Sequence, residues 1–143
     1  MRKSMDFQEI YEILGRECTD SEIQEICEYI SYAPCNIIFI LQTPGRKNLW
    51  HNEARVIVRL DNAILERYLN NLLDWLFDLN WPGAELIYDR IVCLPHSSNV
   101  DRTIEETFAF AQKCFAKNRH YICWINVLKD LRKDRQKAAD ENT

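Results

Sequence analysis

"LLDWLFDLNWPGAELIYDRI", residues 72–91, contains two segments with helical apolar periodicity that are separated only by Asn80-Trp81-Pro82-Gly83. Asn80 is suited to close the first helix or to cap the second, and Pro82 fits the first position of a helix, where its missing N–H has no consequence. Gly83 is small enough for two helices to approach closely, and Trp81 is large enough to cover the open end of the turn. The stretch therefore predicts the corner of a helical hairpin.

The composition of the chain favours a single helical domain. It has 143 residues, of which 47% are apolar and 28% charged, enough for one hydrophobic core but not for two. Only 3 glycines and 4 prolines are present, whereas an all-β domain of this length needs many more turn residues. We therefore predict one all-α domain over residues 1–143, with residues 6–132 ordered and residues 133–143 frayed.

The net charge and the hydropathy of the chain indicate which binding partners and which cellular location to expect. The net charge is −4 and the isoelectric point is about 5.4, which argues against nucleic-acid binding and leaves room for a basic protein partner. The N-terminus lacks the apolar region of a signal peptide, and the longest strictly apolar run, Ile37–Leu41, is far shorter than a membrane span. We predict a cytoplasmic protein without membrane contact, whose 6 cysteines are reduced and mostly buried thiols.

Capping residues predict two short helices in the N-terminal third of the chain. Asp6 is a suitable N-cap for the first helix and Gly15 ends it, whereas either Thr19 or Asp20 caps the second. The β-branched run Ile37–Leu41 is compatible with a buried strand or a short buried helix. Because no second strand-like run exists with which it could pair, we predict the short helix.

The pattern of apolar residues predicts a series of amphipathic helices in the rest of the chain. One begins near Trp50, and residues 63–79 form one long helix with a wide apolar stripe. Thr103 and Glu106 make a capping box that opens another helix, and a turn at Asn118 leads to the last one. Basic residues near the end of that helix are explained by complementation of the helix dipole: Arg132, Lys133, Arg135 and Lys137.

Aromatic residues recur near the start of every second predicted helix and indicate a repeat. Trp50, Trp81 and the Tyr121–Trp124 segment follow one another at intervals of about 30 to 40 residues, within the range of helical-hairpin repeats. One such hairpin cannot bury its apolar face alone, so stacked hairpins share a continuous core. The spacing predicts a HEAT-like α-solenoid of about four antiparallel helical hairpins.

Two segments of the chain resemble a known family. LLDWLFDLNWPGAELI (residues 72–87), followed after a loop by KNRHYICWINVLKDL (residues 117–131), is similar to a bacterial family of comparable length that is classed as a domain of unknown function. Its members carry a Trp–Leu helix that ends in an Asn-Trp-Pro corner, matched here by Asn80-Trp81-Pro82. The resemblance covers residues 62–132 and implies a HEAT-like helical-repeat fold, but no reaction and no catalytic residues.

Two pairs of cysteine and histidine could form half of a zinc site each. Cys93-x-x-His96 and His120-x-x-Cys123 together offer two thiolates and two imidazoles. Their spacing is looser than that of most structural zinc sites, and Cys93 ends a helix whose inner face is apolar. We therefore predict thiols that serve packing, and no metal or other cofactor.

Four carboxylates around the hairpin corner offer an alternative function. Asp74 and Asp78 share a helix face, and Glu85 and Asp89 share another, since each pair is four residues apart. Such a cluster could bind a metal ion and activate water, as in a small metal-dependent hydrolase. More often these pairs belong to a solvated helix face, and no motif for a nucleophile, a phosphate or a dinucleotide is present.

The leading hypothesis is a non-enzymatic protein-interaction module, because the chain carries a fold pattern without a motif for chemistry. In a solenoid, the second helices of the hairpins line a concave binding surface. That surface would use polar and aromatic residues of three helices: Asn52, Glu53, Arg55, Arg59, Glu85, Asp89, Arg90, Tyr121, Trp124 and Asn126. Either Trp75 or Trp124 could be exposed as an interface anchor. A small acidic protein of this kind could be an immunity or antitoxin-like protein that covers a basic partner.

Overall fold

The computed structural model describes residues 5–141 and confirms the all-helical prediction, since no strand occurs among them. The α-helices in chain order are α1 (Phe7–Leu14), α2 (Asp20–Tyr32), α3 (Trp50–Ile57), α4 (Asn62–Arg67), α5 (Leu69–Asp74), α6 (Ala84–Val92), α7 (Ser98–Phe115) and α8 (Arg119–Glu141). Short 3-10 helices cover Pro34–Phe39, Lys47–Leu49 and Trp75–Phe77. Buried apolar side chains from α1 to α8 form one contiguous core. None of the described helices has the length and apolar character needed to cross a bilayer.

The first two helices begin and end where their capping residues predicted. The Asp6 carboxylate accepts a 2.7 Å hydrogen bond from the Gln8 N–H, and α1 stops at Gly15. Thr19, rather than Asp20, caps α2: its hydroxyl accepts from the Glu22 N–H at 3.1 Å, and the Glu22 carboxylate accepts from the Thr19 N–H at 3.0 Å. This reciprocal capping box satisfies two backbone donors that the helix itself leaves unpaired.

The run Ile37–Leu41 is helical only in its first part, and only part of it is buried. Ile37 to Phe39 end the 3-10 helix Pro34–Phe39, in which three residues complete one turn, whereas Ile40 and Leu41 follow that helix. Ile37 and Ile40 therefore point to the same side and are buried in the core, whereas Ile38 and Phe39 are exposed. The prediction of a short buried helix holds for one face of this segment alone.

The predicted long helix over residues 63–79 is wrong, because the segment bends twice. Tyr68 interrupts it between α4 and α5 with φ −108° and ψ 21°, and Trp75–Phe77 tightens into a 3-10 turn. A straight helix turns one apolar face to a core, but this segment carries more apolar residues than one face holds. Because of the two bends, apolar residues on both sides of Tyr68 are buried: Ile64, Leu65, Leu69, Leu72, Leu73, Trp75 and Leu76.

The hairpin corner exists, but its residues have other roles than those predicted. Helix α6 begins at Ala84, so Pro82 is not its first residue, and Gly83 is the N-cap with φ +82°. A Cβ atom on Gly83 would lie 2.6 Å from the Ala54 Cβ and 2.9 Å from the Trp50 carbonyl oxygen. Gly83 thus permits a close approach between α6 and α3, and the Trp75 ring on the first arm of the corner would lie 3.2 Å from the same Cβ atom.

Replacing Gly83 with Ala should therefore destabilise the fold more than replacing Gly45, the other glycine with positive φ. Both positions are left-handed, at φ +82° and +73°, but a Cβ on Gly45 meets no atom within 4 Å. Both variants incur the left-handed strain, and Gly83→Ala adds steric overlap worth about 2 kcal/mol. Urea unfolding of the two variants checks this difference, and equal losses of unfolding free energy would contradict the close α3–α6 contact.

Helix α7 begins six residues earlier than predicted. Ser97 caps it and accepts a 3.2 Å hydrogen bond from the Val100 N–H, so Ser98 is its first residue. Thr103 lies inside the helix, and its hydroxyl donates to the Asn99 carbonyl oxygen at 2.7 Å. The Thr103–Glu106 pair is therefore not a capping box, because the threonine oxygen faces the preceding turn.

Helix α8 continues to Glu141, which corrects the prediction that residues 133–143 fray; residues 142–143 lie outside the described part. Arg135 explains this continuation, since it is only 2% exposed. Its guanidinium donates to the carbonyl oxygens of Ile91 at 2.7 Å and Leu94 at 2.8 Å, at the end of α6. Arg135 thus caps a neighbouring helix, rather than complementing the dipole of its own.

The same kind of contact joins α6 to α3. Arg90 donates to the carbonyl oxygens of Val58 and Leu60, both at 3.0 Å, just past the end of α3. Helix ends leave such carbonyls without intrahelical donors, so a cation there has both a hydrogen-bonding and an electrostatic role. Helices α3, α6 and α8 accordingly lie side by side, α3 against α6 and α6 against α8.

Candidate functional site

The polar residues of α3 do not form the free surface that the amphipathic pattern predicted. Glu53 is 0% exposed and Asn52 is buried, which corrects their assignment to a solvent-facing site. The Asn52 amide donates to the carbonyl oxygens of Leu14 at 2.9 Å and Arg16 at 2.8 Å, beyond the end of α1. Asn52 is inward because the end of α1 and the α1–α2 connection bring unpaired carbonyls to its amide.

Arg55 of α3 and Arg59, which lies two residues past its end, are both bonded to the α1–α2 connection or to the first residue of α2. Arg55 donates to the Cys18 carbonyl oxygen at 3.1 Å and to the Asp20 carboxylate at 2.8 Å. Arg59 donates to the Asp20 carbonyl oxygen at 3.3 Å. Arg55 and Arg59 therefore hold α2 against α3, and this use competes with any role in binding a partner.

Glu53 holds the segment that precedes α3. Its carboxylate accepts from the Thr43 N–H at 3.2 Å and from the Thr43 hydroxyl. The Trp50 indole N–H donates to the Thr43 carbonyl oxygen at 3.0 Å, so three bonds converge on one loop residue. Burial raises the pKa of Glu53 from 4.5 to about 7, against the opposing effects of the Thr43 hydrogen bonds and of Arg46.

The predicted site residues on α6 and α8 divide into exposed and buried ones. Glu85, Asp89 and Asn126 are exposed, as the helical pattern indicated. Trp75 is 0% and Trp124 8% exposed, so the prediction that one of them is an exposed anchor is wrong. The Trp124 indole N–H donates to the Leu73 carbonyl oxygen at 3.0 Å, which explains how its polar atom is accommodated in the core.

The structure joins the aromatic side chains at the starts of α3, α6 and α8 into one cluster. Phe77 lies at its centre, with ring centroids 5.6 Å from Trp81, 5.0 Å from Tyr121 and 6.1 Å from Trp124. Trp81 continues to Trp50, at 5.4 Å. Such tilted and edge-to-face pairs add to the stabilisation from burial. The helix starts that carry these residues therefore meet at one edge of the molecule.

An open groove of about 420 Å³ runs along this edge and is called the aromatic groove. Its lining residues are Gln42, Asp74, Phe77, Trp81, Phe115, Tyr121 and Trp124. Phe115 and Tyr121 stack with centroids 4.0 Å apart and form one wall. The apolar surface extends outward to Phe110, which is 57% exposed. The ring centroids of Phe110 and Phe115 lie 5.8 Å apart in an edge-to-face arrangement.

Two polar side chains in the aromatic groove lack partners. The Asp74 side chain has no hydrogen bond or ion pair with any residue from 5 to 141. Loss of hydration raises the pKa of Asp74, and no charged neighbour contributes to that shift. The Gln42 amide nitrogen is buried without an acceptor, and the Gln42 backbone has φ +31°. An unpaired carboxylate and an unpaired donor thus accompany the ring faces.

A second groove of about 390 Å³, called the polar groove, lies on the other side of Trp81. Its lining residues are His51, Leu79, Asn80, Trp81, Gly83, Glu85 and Leu86. Lys47 lies above this region, with its ammonium nitrogen 5.6 Å from the Trp50 ring and 5.9 Å from the Trp81 ring. Trp81 therefore separates an aromatic groove containing Asp74 from a polar groove containing Glu85.

The residues proposed for metal chemistry are not brought together. Within residues 5–141, no group of three or more His, Cys, Asp or Glu side chains is arranged to hold a metal ion. His96 instead contacts the Asp101 carboxylate at 3.0 Å, and Asp74 and Glu85 lie in different grooves. The prediction of mostly buried thiols is wrong, since four cysteines are exposed: Cys35, Cys93, Cys114 and Cys123. The alternative of a metal-dependent hydrolase stays a prediction without a supporting contact.

Sequence reasoning missed the aromatic groove, although one signal pointed to it. The repeated aromatic residues at helix starts were interpreted as seals of separate hairpins, and Phe77 and Phe115 were not connected with them. Their convergence depends on the side-by-side order of α3, α6 and α8, which local periodicity does not contain. The regular spacing of Trp50, Trp81 and Tyr121 would have predicted the groove if the helices that they precede or begin had been placed side by side with their starts at the same edge.

Comparisons with known proteins found no family model, no curated protein and no solved structure that matches the chain. The geometry and charge of the two grooves are therefore the observations from which a function is inferred.

Proposed function

We propose that this protein is a non-enzymatic interaction module that binds a basic protein partner across Trp81 and the two adjoining grooves. The observation that carries the proposal is an aromatic surface, open to solvent, with an unpaired carboxylate on each side of Trp81. Tryptophan and tyrosine are enriched among the residues that dominate the free energy of protein–protein binding. Rings already fixed by their neighbours lose little conformational freedom on binding.

We further propose that the fold is the HEAT-like array implied by the sequence repeat and by the resemblance to the bacterial family. Contacts between helices that are not consecutive in the chain support it, α3 with α6, α6 with α8 and α5 with α7, as expected for two stacked layers in which α4 and α5 count as one bent segment. The arginines at successive helix ends, Arg90 at the end of α3 and Arg135 at the end of α6, support the same arrangement.

The charge of the chain favours a basic partner. The net charge is −4, and neither Asp74 nor Glu85 has a side-chain partner among residues 5–141. A cationic segment lying across Trp81 would contact one carboxylate on each side, and complementary charge would also accelerate association. This arrangement suits an immunity or antitoxin-like protein in the cytoplasm that covers a basic partner.

Charge reversal at both grooves tests the proposal. A partner is first isolated by affinity capture from the native host, and its dissociation constant is then measured with purified proteins. Asp74→Lys combined with Glu85→Lys should weaken binding by about 100-fold, because like charges would face each other across the interface. Both residues are exposed, so circular dichroism and unfolding of this variant should resemble those of the wild type.

Glu12→Lys combined with Glu28→Lys is the matched control. Glu12 is exposed on α1 and Glu28 on α2, and neither helix contributes a residue to either groove, so the same reversal of two charges there should leave the affinity within about 3-fold. Equal weakening by both changes would indicate a general effect of net charge, and would contradict binding at the grooves. Failure to isolate any specific protein partner would also contradict the proposal.

A further inference from the structure

We propose that the aromatic groove binds an arginine side chain of the partner, with Asp74 as its counter-ion and the faces of Trp81 and Tyr121 as its platform. This inference rests on the proposed function and names the group that the groove recognises. It follows from two features of the groove: the aromatic rings that line it and the carboxylate without a partner.

The ring faces are suited to a cation. Aromatic faces carry negative electrostatic potential and attract a guanidinium or ammonium group within about 6 Å of the ring centroid. The chain already uses this attraction at the same cluster, since the Lys47 ammonium lies 5.6 Å from the Trp50 ring and 5.9 Å from the Trp81 ring. The aromatic groove, on the other side of Trp81, has no basic residue among its lining residues.

Asp74 supplies the charge that fixes the cation in place. It is the only charged residue lining the aromatic groove, and no side chain within residues 5–141 neutralises it. Partial loss of hydration raises the pKa of Asp74, because the ionised carboxylate is less well solvated than in water. A cation bound beside it would restore part of the lost electrostatic stabilisation. Arginine is favoured over lysine because its planar guanidinium stacks on rings while it donates to a carboxylate.

The probe is N-acetyl-L-arginine amide, compared with the uncharged and nearly isosteric N-acetyl-L-citrulline amide. Both are titrated into the ¹⁵N-labelled protein while the indole N–H resonances are followed. The arginine derivative should shift the Trp81 and Trp124 signals saturably and bind at least about 10-fold more tightly than citrulline. Trp75 is fully buried outside the lining and serves as the internal reference, whose signal should not move.

Asp74→Asn should weaken binding of the arginine derivative by about 5- to 10-fold and leave binding of the citrulline derivative unchanged. Asp89→Asn, an equal change of charge at an exposed residue outside both grooves, should have no effect on either. Equal affinity for both probes, no binding of either at their solubility limit, or no effect of Asp74→Asn would overturn the inference. Loss of the protein partner on charge reversal at Asp74 and Glu85 would then still support the interaction module.

Discussion

Arg135→Met is expected to lower the free energy of unfolding by about 4 kcal/mol, the typical loss when one partner of a buried charged network is removed. Arg135 is 2% exposed and is the donor to three groups that lie outside α8. Its replacement leaves the carbonyl oxygens of Ile91 and Leu94 without this donor and removes the 3.0 Å ion pair with Asp101. Each unsatisfied buried acceptor contributes to the loss.

Lys133→Met is the control for this prediction. Lys133 lies on the same helix two residues earlier and is exposed, so the same substitution there should change the unfolding free energy by less than about 0.5 kcal/mol. Urea unfolding at one pH measures both variants. A similar small loss for Arg135→Met would show that the guanidinium does not cap α6, and would return residues 133–141 to the frayed tail of the sequence prediction.

The stability of the protein is expected to fall as the pH rises between about 4.5 and 7, because of Glu53. The pKa of this buried carboxyl group is raised from 4.5 to about 7, so the folded state holds its proton more tightly than the unfolded chain does. Its contribution is therefore complete below pH 4.5 and is lost as the pH rises through 7. A shift of this size corresponds to about 3 kcal/mol.

Glu53→Gln isolates this effect from those of other titrating groups. Its amide stays neutral, its oxygen can accept from the Thr43 N–H, and its nitrogen can donate to the Thr43 hydroxyl, which lies 3.4 Å from the Phe39 carbonyl oxygen. The variant should therefore lack the decline, and at pH 8 it should be more stable than the wild type. Unfolding free energies of both proteins at pH 5 and pH 8 are compared. An equal pH dependence in the two would show that Glu53 is not titrating in the core.

Local chemistry predicted the parts of the fold that depend on a few adjacent residues. Asp6, Gly15 and Thr19 set the ends of α1 and α2, since a capping side chain needs only the backbone groups two or three residues away. The small size of Gly83 was recognised too, although its tightest contact is with Ala54 of α3 and not with the corner. The size of a residue can be read from the sequence, whereas the residue that packs against it depends on the tertiary fold.

Predictions failed where a polar side chain serves a distant segment. Glu53 and Arg135 have the sequence context of exposed residues, yet both are buried because helix ends or a loop bring partners to them. Amphipathic periodicity treats polar residues as outward, and it contains no information on carbonyls that arrive from another helix. The polar part of the predicted concave site on α3 was lost for this reason, while Glu85 on α6 was correctly exposed.

The aromatic groove depends on long-range order in the same way. Trp50, Trp81 and Tyr121 lie far apart in the chain and approach only because α3, α6 and α8 are adjacent. Phe77 joins them because the 3-10 turn at Trp75–Phe77 redirects it from the helix that was predicted there. The sequence shows that these residues are aromatic, but it does not show that they are in contact.

The central claim is that the starts of α3, α6 and α8 meet at one edge and form the binding surface. Nuclear Overhauser contacts between aromatic rings test it most directly, because they require proton distances below about 5 Å, the range reached by rings with centroids 4.5–7 Å apart. Contacts are expected between Trp50 and Trp81, and between Phe77 and Tyr121, whose centroids are 5.4 Å and 5.0 Å apart. If the folded protein shows neither contact, the groove does not exist and both binding proposals are wrong.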